Sequence, residues 1–169
     1  MLHGALRQPP QGPRPARPPR PHRGGKPVTR PRPTGLTKDA GYEIGVSRTL
    51  PLPPGAVWRF LTGPEGLALW LGRGAEITPG RGSAYRTGDG TTGEVRGYHE
   101  GSRIRITHRP PGSDRDSTVQ MTVTPRGGKS VLGFHQERLT SAAEREDRRR
   151  HWRSVMDEVA GALLPEGNR

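Results

Sequence analysis

Gly88-Asp89-Gly90-Thr91-Thr92-Gly93 spells G-x-G-x-x-G, the spacing that cradles a dinucleotide pyrophosphate when it follows a strand and opens a helix. Here Val95 and Tyr98 continue the segment as a strand. The glycines are therefore expected to make a hairpin turn with Asp89-Gly90 at its tip, and no cofactor is expected. The histidines, His3, His22, His99, His108, His135 and His151, include no pair at the i, i+4 spacing of a metal site, and no metal is expected. His108 falls in phase with Ile104 and Ile106. That phase fits a polar handle or acid–base group facing a cavity, but a strand-end histidine satisfied by its neighbours is the favoured reading. No serine–histidine–acid arrangement or carboxylate pair can be assembled, and without cysteine no thiolate is available. An enzyme would have no visible nucleophile, so a non-enzymatic role is favoured.

Two further sets have binding chemistry. In Glu144-Arg145-Glu146-Asp147-Arg148-Arg149-Arg150, Glu144 with Arg148 and Glu146 with Arg150 are i, i+4 pairs in the favoured orientation, which predicts a solvated face. Arg145, Arg148 and Arg149 also continue the helical stripe of Trp152, which would set them over one end of a cavity to meet an anionic head group. The bulky side chains Trp58, Trp70, Tyr85, Tyr98, Met121, Phe134, Trp152 and Met156 are expected in the core. Because ligand sites are themselves largely apolar, some of them also line a pocket. With Ile104, Ile106, His108 and Arg148 they make up the expected ligand cavity.

The elements that must hold these residues can be read in order. Ser141 to Leu164 is a helix: Ser141 with Glu144 forms a capping box, and Trp152, Val155, Met156, Val159 and Leu163 recur on one face. Tyr42, Ile44 and Val46 alternate with polar residues as a half-buried strand that Pro51, Pro53 and Pro54 stop. Pro54 then opens a short helix, Thr62-Gly63-Pro64 breaks it, and Glu65 to Leu71 makes a second. Strand-like runs follow at Gly82 to Arg86, Thr92 to His99, Arg103 to His108, Thr118 to Thr124 and Lys129 to Glu137. In the last of them Leu132, Phe134 and Gln136 share a face. An antiparallel sheet with one apolar face needs a cover, and only the long helix is large enough.

Composition divides the chain. Residues 1–38 hold nine of the 28 Lys and Arg and no Asp or Glu, so the net charge of +12 splits into +9 there and +3 in the rest. Residues 1–37 are therefore expected to be an extended, disordered Arg/Pro-rich tail, and 38–169 a single folded domain. The tail suits weak, nonspecific nucleic-acid binding through phosphate contacts, or a solvated extension without a partner; it interleaves no aromatic residue for base stacking. The absence of cysteine and of any apolar run near the roughly 18 residues of a membrane span points to a cytoplasmic setting.

The order strand, two small helices, meander, long helix is joined by particular residues: Val57-Trp58-Arg59-Phe60-Leu61-Thr62 into Gly63-Pro64-Glu65-Gly66-Leu67, Trp70-Leu71-Gly72, Phe134-His135-Gln136-Glu137-Arg138-Leu139, and His151-Trp152. Together they resemble the SRPBCC superfamily of START and birch-pollen-allergen-like helix-grip folds, nearest to the activator of heat-shock protein 90 ATPase family, over residues 42–164. The resemblance implies an α+β helix-grip fold in which a curved antiparallel sheet of about six strands wraps a long C-terminal helix, with a cavity between them. The function expected is a small binding module whose cavity takes a hydrophobic or amphipathic small molecule or a partner protein. The alternatives are a co-chaperone-like or nucleic-acid-interacting protein acting through its surface and tail, and a polyketide-cyclase-like enzyme using the same cavity.

Overall fold

The computed structural model describes residues 34–37 and 41–166, all within one unit spanning residues 32–169. The tail expected over residues 1–37 lies outside the described residues except at its end. There Leu36–Thr37, β1, pairs with Tyr42 and Gly41 at the start of β2, Gly41–Leu50. Helices α1, Pro54–Thr62, and α2, Pro64–Trp70, come next. The meander runs through β3, Ala84–Arg86, β4, Thr92–His99, β5, Arg103–His108, β6, Ser117–Arg126, and β7, Lys129–Leu139. The chain ends in α3, Ala142–Leu163.

The sheet order is β1-β2-β7-β6-β5-β4-β3 with every pair antiparallel, so β2 closes against the last strand of the meander. This is the α+β helix-grip architecture expected, with β1 added at one edge. The strands bend at two irregularities. Between Val95 and Gly97 the extra residue lies on β4. Between Tyr42 and Ile44, two steps on β2 face three on β7, from Leu139 to Gln136, so the extra residue lies on β7, where Arg138 has φ 66°. Such bulges raise local twist and curvature.

Local chemistry fixes the helices. Pro54 starts α1 at a position needing no N–H, and Gly63 separates α1 from α2. The two pack closely because Gly66 has no side chain: a Cβ there would stand 2.0 Å from the Phe60 carbonyl oxygen. Trp70 Nε1 donates to the Leu61 carbonyl at 2.9 Å and pins α2 to α1. In α3, Ser141 Oγ accepts from the Glu144 N–H at 3.1 Å, as the capping box predicts. The Glu144 carboxylate, however, takes both the N–H and the hydroxyl of Thr140, at 2.6 and 2.7 Å. The expected Glu144–Arg148 and Glu146–Arg150 pairs are therefore replaced: Arg148 pairs with Asp147 at 2.9 Å, Arg149 with Glu146 at 3.8 Å and Arg150 with Asp147 at 3.7 Å.

One apolar cluster joins the sheet's inner face, α1, α2 and the second half of α3. Phe134 lies at its centre, stacked on Trp152 with centroids 4.7 Å apart and 6.1 Å from Trp70. Among the described residues no helix is long and apolar enough to cross a membrane.

Candidate functional site

The meander strands and α3 diverge at one end of the molecule and leave a cavity of about 660 Å³. One wall is the end of α2 with Leu69, Trp70 and Leu71; a second is the β3–β4 turn with Asp89 and Thr91. His108 closes β5, Ser117 opens β6, Gln136 and Arg138 come from the end of β7, and Asp147, Arg148, His151 and Trp152 come from the first half of α3. The G-x-G-x-x-G segment makes the expected hairpin turn rather than a phosphate cradle. Asp89 at its tip accepts from the Thr87 hydroxyl and from the Thr91 N–H, and these bonds hold its carboxyl below the usual range.

At the cavity floor a chain of hydrogen bonds satisfies the buried polar groups. Trp152 Nε1 donates to Gln136 Oε1 at 2.9 Å, Gln136 Nε2 donates to Ser117 Oγ at 2.8 Å, and Ser117 Oγ donates to the His108 carbonyl at 3.3 Å. Gln136 is 3% exposed, on the same face as Leu132 and Phe134, so its amide is held by this chain inside the core. One buried atom of the wall stands apart: His108 Nδ1 has no hydrogen-bond partner.

Electrostatics sharpen the asymmetry. Burial, reinforced by the charge on Arg148 and by His151, pushes His108 down from 6.5 to about 4. His151, edge-on to Trp152 with centroids 4.9 Å apart, is lowered by burial and then by Arg148. Both imidazoles are therefore neutral at pH 7. The hydrogen bond from Arg148 lowers Asp147. Each carboxylate on the wall is engaged: Asp89 within its turn, Asp116 with Arg109 at 2.8 Å, Glu144 with Thr140 and Asp147 with Arg148. Arg115 and Arg138, also on the wall, have no ion-pair partner among the described residues.

Of the side chains expected in the cavity, Trp70, His108, Arg148 and Trp152 stand on this wall. The other eight are placed elsewhere. Ile104, Ile106, Met121 and Phe134 are packed in the core at 1% exposure or less. Trp58 donates Nε1 to Glu100 at 2.9 Å and meets Tyr98 edge-on at 5.9 Å. Tyr85 donates its hydroxyl to the Thr107 carbonyl at 2.6 Å beside a separate hollow between β3, β4 and β5. Met156 borders a groove between α3 and β2.

Sequence reasoning did not single out His151, Ser117, Arg115 or Arg138 for the cavity. His151 was within reach, since Arg148, His151 and Trp152 follow the i, i+3, i+4 rule of one helix face. The loop residues and the bulge carried no periodic signal. Histidine spacing also could not show that Glu43, His135 and Glu137 gather across β2 and β7, with candidate ligand atoms within 4.8 Å of one another. Arg105 pairs with Glu137, and His135 Nε2 lies 3.5 Å from the Glu43 carboxylate, so Glu137 already has a cationic partner and the other two groups face each other.

A family model described as Activator of Hsp90 ATPase homolog 1-like protein matches residues 51–163. Among solved structures, CalU16 from Micromonospora echinospora is similar with a TM-score of 0.64 at 19% identity, covering 76% of this chain and 81% of that one. A Chromobacterium violaceum protein gives 0.60 at 25% identity over 73% and 98%. An HSP90 activator from Plasmodium falciparum gives 0.61 at 15% identity over 72% and 95%. No curated protein matches the chain.

Proposed function

The chain belongs to the Activator of Hsp90 ATPase homolog 1-like family, and we propose that within this fold it is a non-enzymatic binding module. Its cavity beside Arg148 and Trp152 takes a small amphipathic molecule with an anionic end. The observation that carries this reading is the unpartnered Nδ1 of His108 on a wall whose other buried polar groups are satisfied by one another. A buried polar atom left without a partner costs about 1–3 kcal/mol, which a ligand hydrogen bond would recover. The volume of about 660 Å³ suits a small molecule. Leu69, Trp70 and Leu71 offer it an apolar wall, and Arg115 and Arg138 supply guanidinium groups that no wall carboxylate pairs, beside Arg148, which Asp147 pairs. Binding is favoured over catalysis because Ser117 gives its proton to a backbone carbonyl and not to an imidazole, and so is not activated as a nucleophile.

Thermal melting of the full chain against aryl and long-chain alkyl carboxylates, each beside its methyl ester, tests the reading. A carboxylate that binds the native state raises the melting temperature, its ester does so less, and Arg148→Gln removes the difference. If none of the acids shifts the melting of the unaltered protein, the reading fails.

Family membership and the likeness to an HSP90 activator support a second reading, contact with a chaperone. Calorimetric titration of the chain into purified Hsp90 tests it, and absence of heat at micromolar concentrations would remove it. The nucleic-acid reading belongs to residues 1–37, outside the described residues apart from 34–37, and nothing described in the domain supports it.

A further inference from the structure

Strand β2 has one side paired to β7 and another that β1 covers only at its start. Glu43 shows which backbone groups face that second side: its N–H donates to the Gly35 carbonyl at 2.6 Å, and its carbonyl accepts from Arg145 Nε at 2.8 Å. Because the chain register between β2 and β7 is regular from Ile44 onward, period two brings the N–H and C=O of Gly45, Ser47 and Thr49 to the same side. All three residues are exposed, and on that side they have no backbone partner among the described residues.

Helix α3 runs alongside this open edge. Arg145 meets Glu43 at one end, and Asp157 meets Arg48 at 3.0 Å at the other. The twelve residue steps from Arg145 to Asp157 rise about 18 Å along the helix and the five from Glu43 to Arg48 about 17 Å along the strand, so helix and strand keep in step. Between them lies a groove of about 440 Å³ whose lining includes Arg48, Arg149 and Arg153, against the single carboxylate of Asp157. Arg149 is held only loosely, 3.8 Å from Glu146, and Arg153 has no ion-pair partner among the described residues.

We propose that this groove receives an extended acidic peptide segment of a partner protein as an added strand on β2. The open backbone groups supply the pairing, and the arginines select the charge. Charged side chains beside an edge also repel unwanted strands. Arginines repel a basic strand and a second copy of this chain, which would bring the same arginines to the contact, but they attract an acidic one.

Fluorescence anisotropy of the full chain with a labelled peptide of about six residues alternating Glu and Thr tests the proposal. The expected result is saturable binding that weakens ~10-fold or more in the double variant Arg149→Glu, Arg153→Glu, whose melting temperature stays near that of the parent. The same peptide N-methylated at alternate backbone nitrogens keeps its charge but cannot pair as a strand, and should lose binding to a similar degree on the unaltered protein. Absence of binding overturns the proposal. So does equal binding by the double variant, which would place the contact on the basic residues of 1–38. So does equal binding of the N-methylated peptide, which would make it simple charge adhesion.

Discussion

From Trp152 onward, α3 turns Val155, Met156, Val159 and Ala160 into the sheet at 5% exposure or less, whereas the turns before it present Asp147, Arg148 and His151 to an open cavity. Both halves use the same helical face. What differs is the surface opposite: Leu132 and Phe134 of β7 belong to the packed cluster, while the strand ends beyond them offer Gln136, Ser117 and His108. One helix thus serves as core over one half and as cavity wall over the other. The change falls at Trp152, whose ring stacks on Phe134 while its N–H joins the polar chain.

The contrast can be broken by substitution. Phe134→Ala, which empties the core beneath Trp152, should destabilise by ~3–5 kcal/mol in urea unfolding. A loss near that of a surface change would mean the two halves are not packed differently.

Acid should act on the cavity half. The folded state holds His108 down to about 4 from 6.5, so the unfolded chain takes up its proton first. Stability is complete above about pH 6.5 and falls as the pH drops toward 4, by up to ~3 kcal/mol, with His151 acting in the same direction. Urea midpoints across that range should decline in the parent and flatten in His108→Leu. Identical slopes would place His108 outside the wall. Next in size, Gln136→Leu strips Trp152 Nε1 and Ser117 Oγ of their partner and should cost ~1–3 kcal/mol, although it adds apolar surface. At the bottom, Arg150→Ala removes a solvated ion pair and should change stability by less than ~0.5 kcal/mol.

Much of the fold was legible because its signals are periodic. Alternation in β5 and β6, the proline and glycine breaks around α1 and α2, and the stripe from Trp152 to Leu163 each report burial on one face. The phase of Leu132, Phe134 and Gln136 also showed that a polar amide faces inward. The cavity was less legible because aromatic and apolar side chains look alike whether packed or lining a void: Ile104, Ile106, Met121 and Phe134 fill the core. The ion pairs of α3 differed because Thr140, one residue before the cap, captures Glu144. The bulge in β7 depends on pairing with β2, about ninety residues away in the chain, and no local pattern announces it.

That bulge carries a consequence for how the molecule can change. Arg138 occupies left-handed backbone, where a side chain costs about 1–2 kcal/mol and glycine carries no steric penalty. Arg138→Gly should therefore raise the melting temperature while removing a guanidinium from the cavity mouth. At this position sturdiness and recognition are traded against each other, and a variant library screened for heat resistance alone would drift toward a hardier protein with a weaker grip on anions.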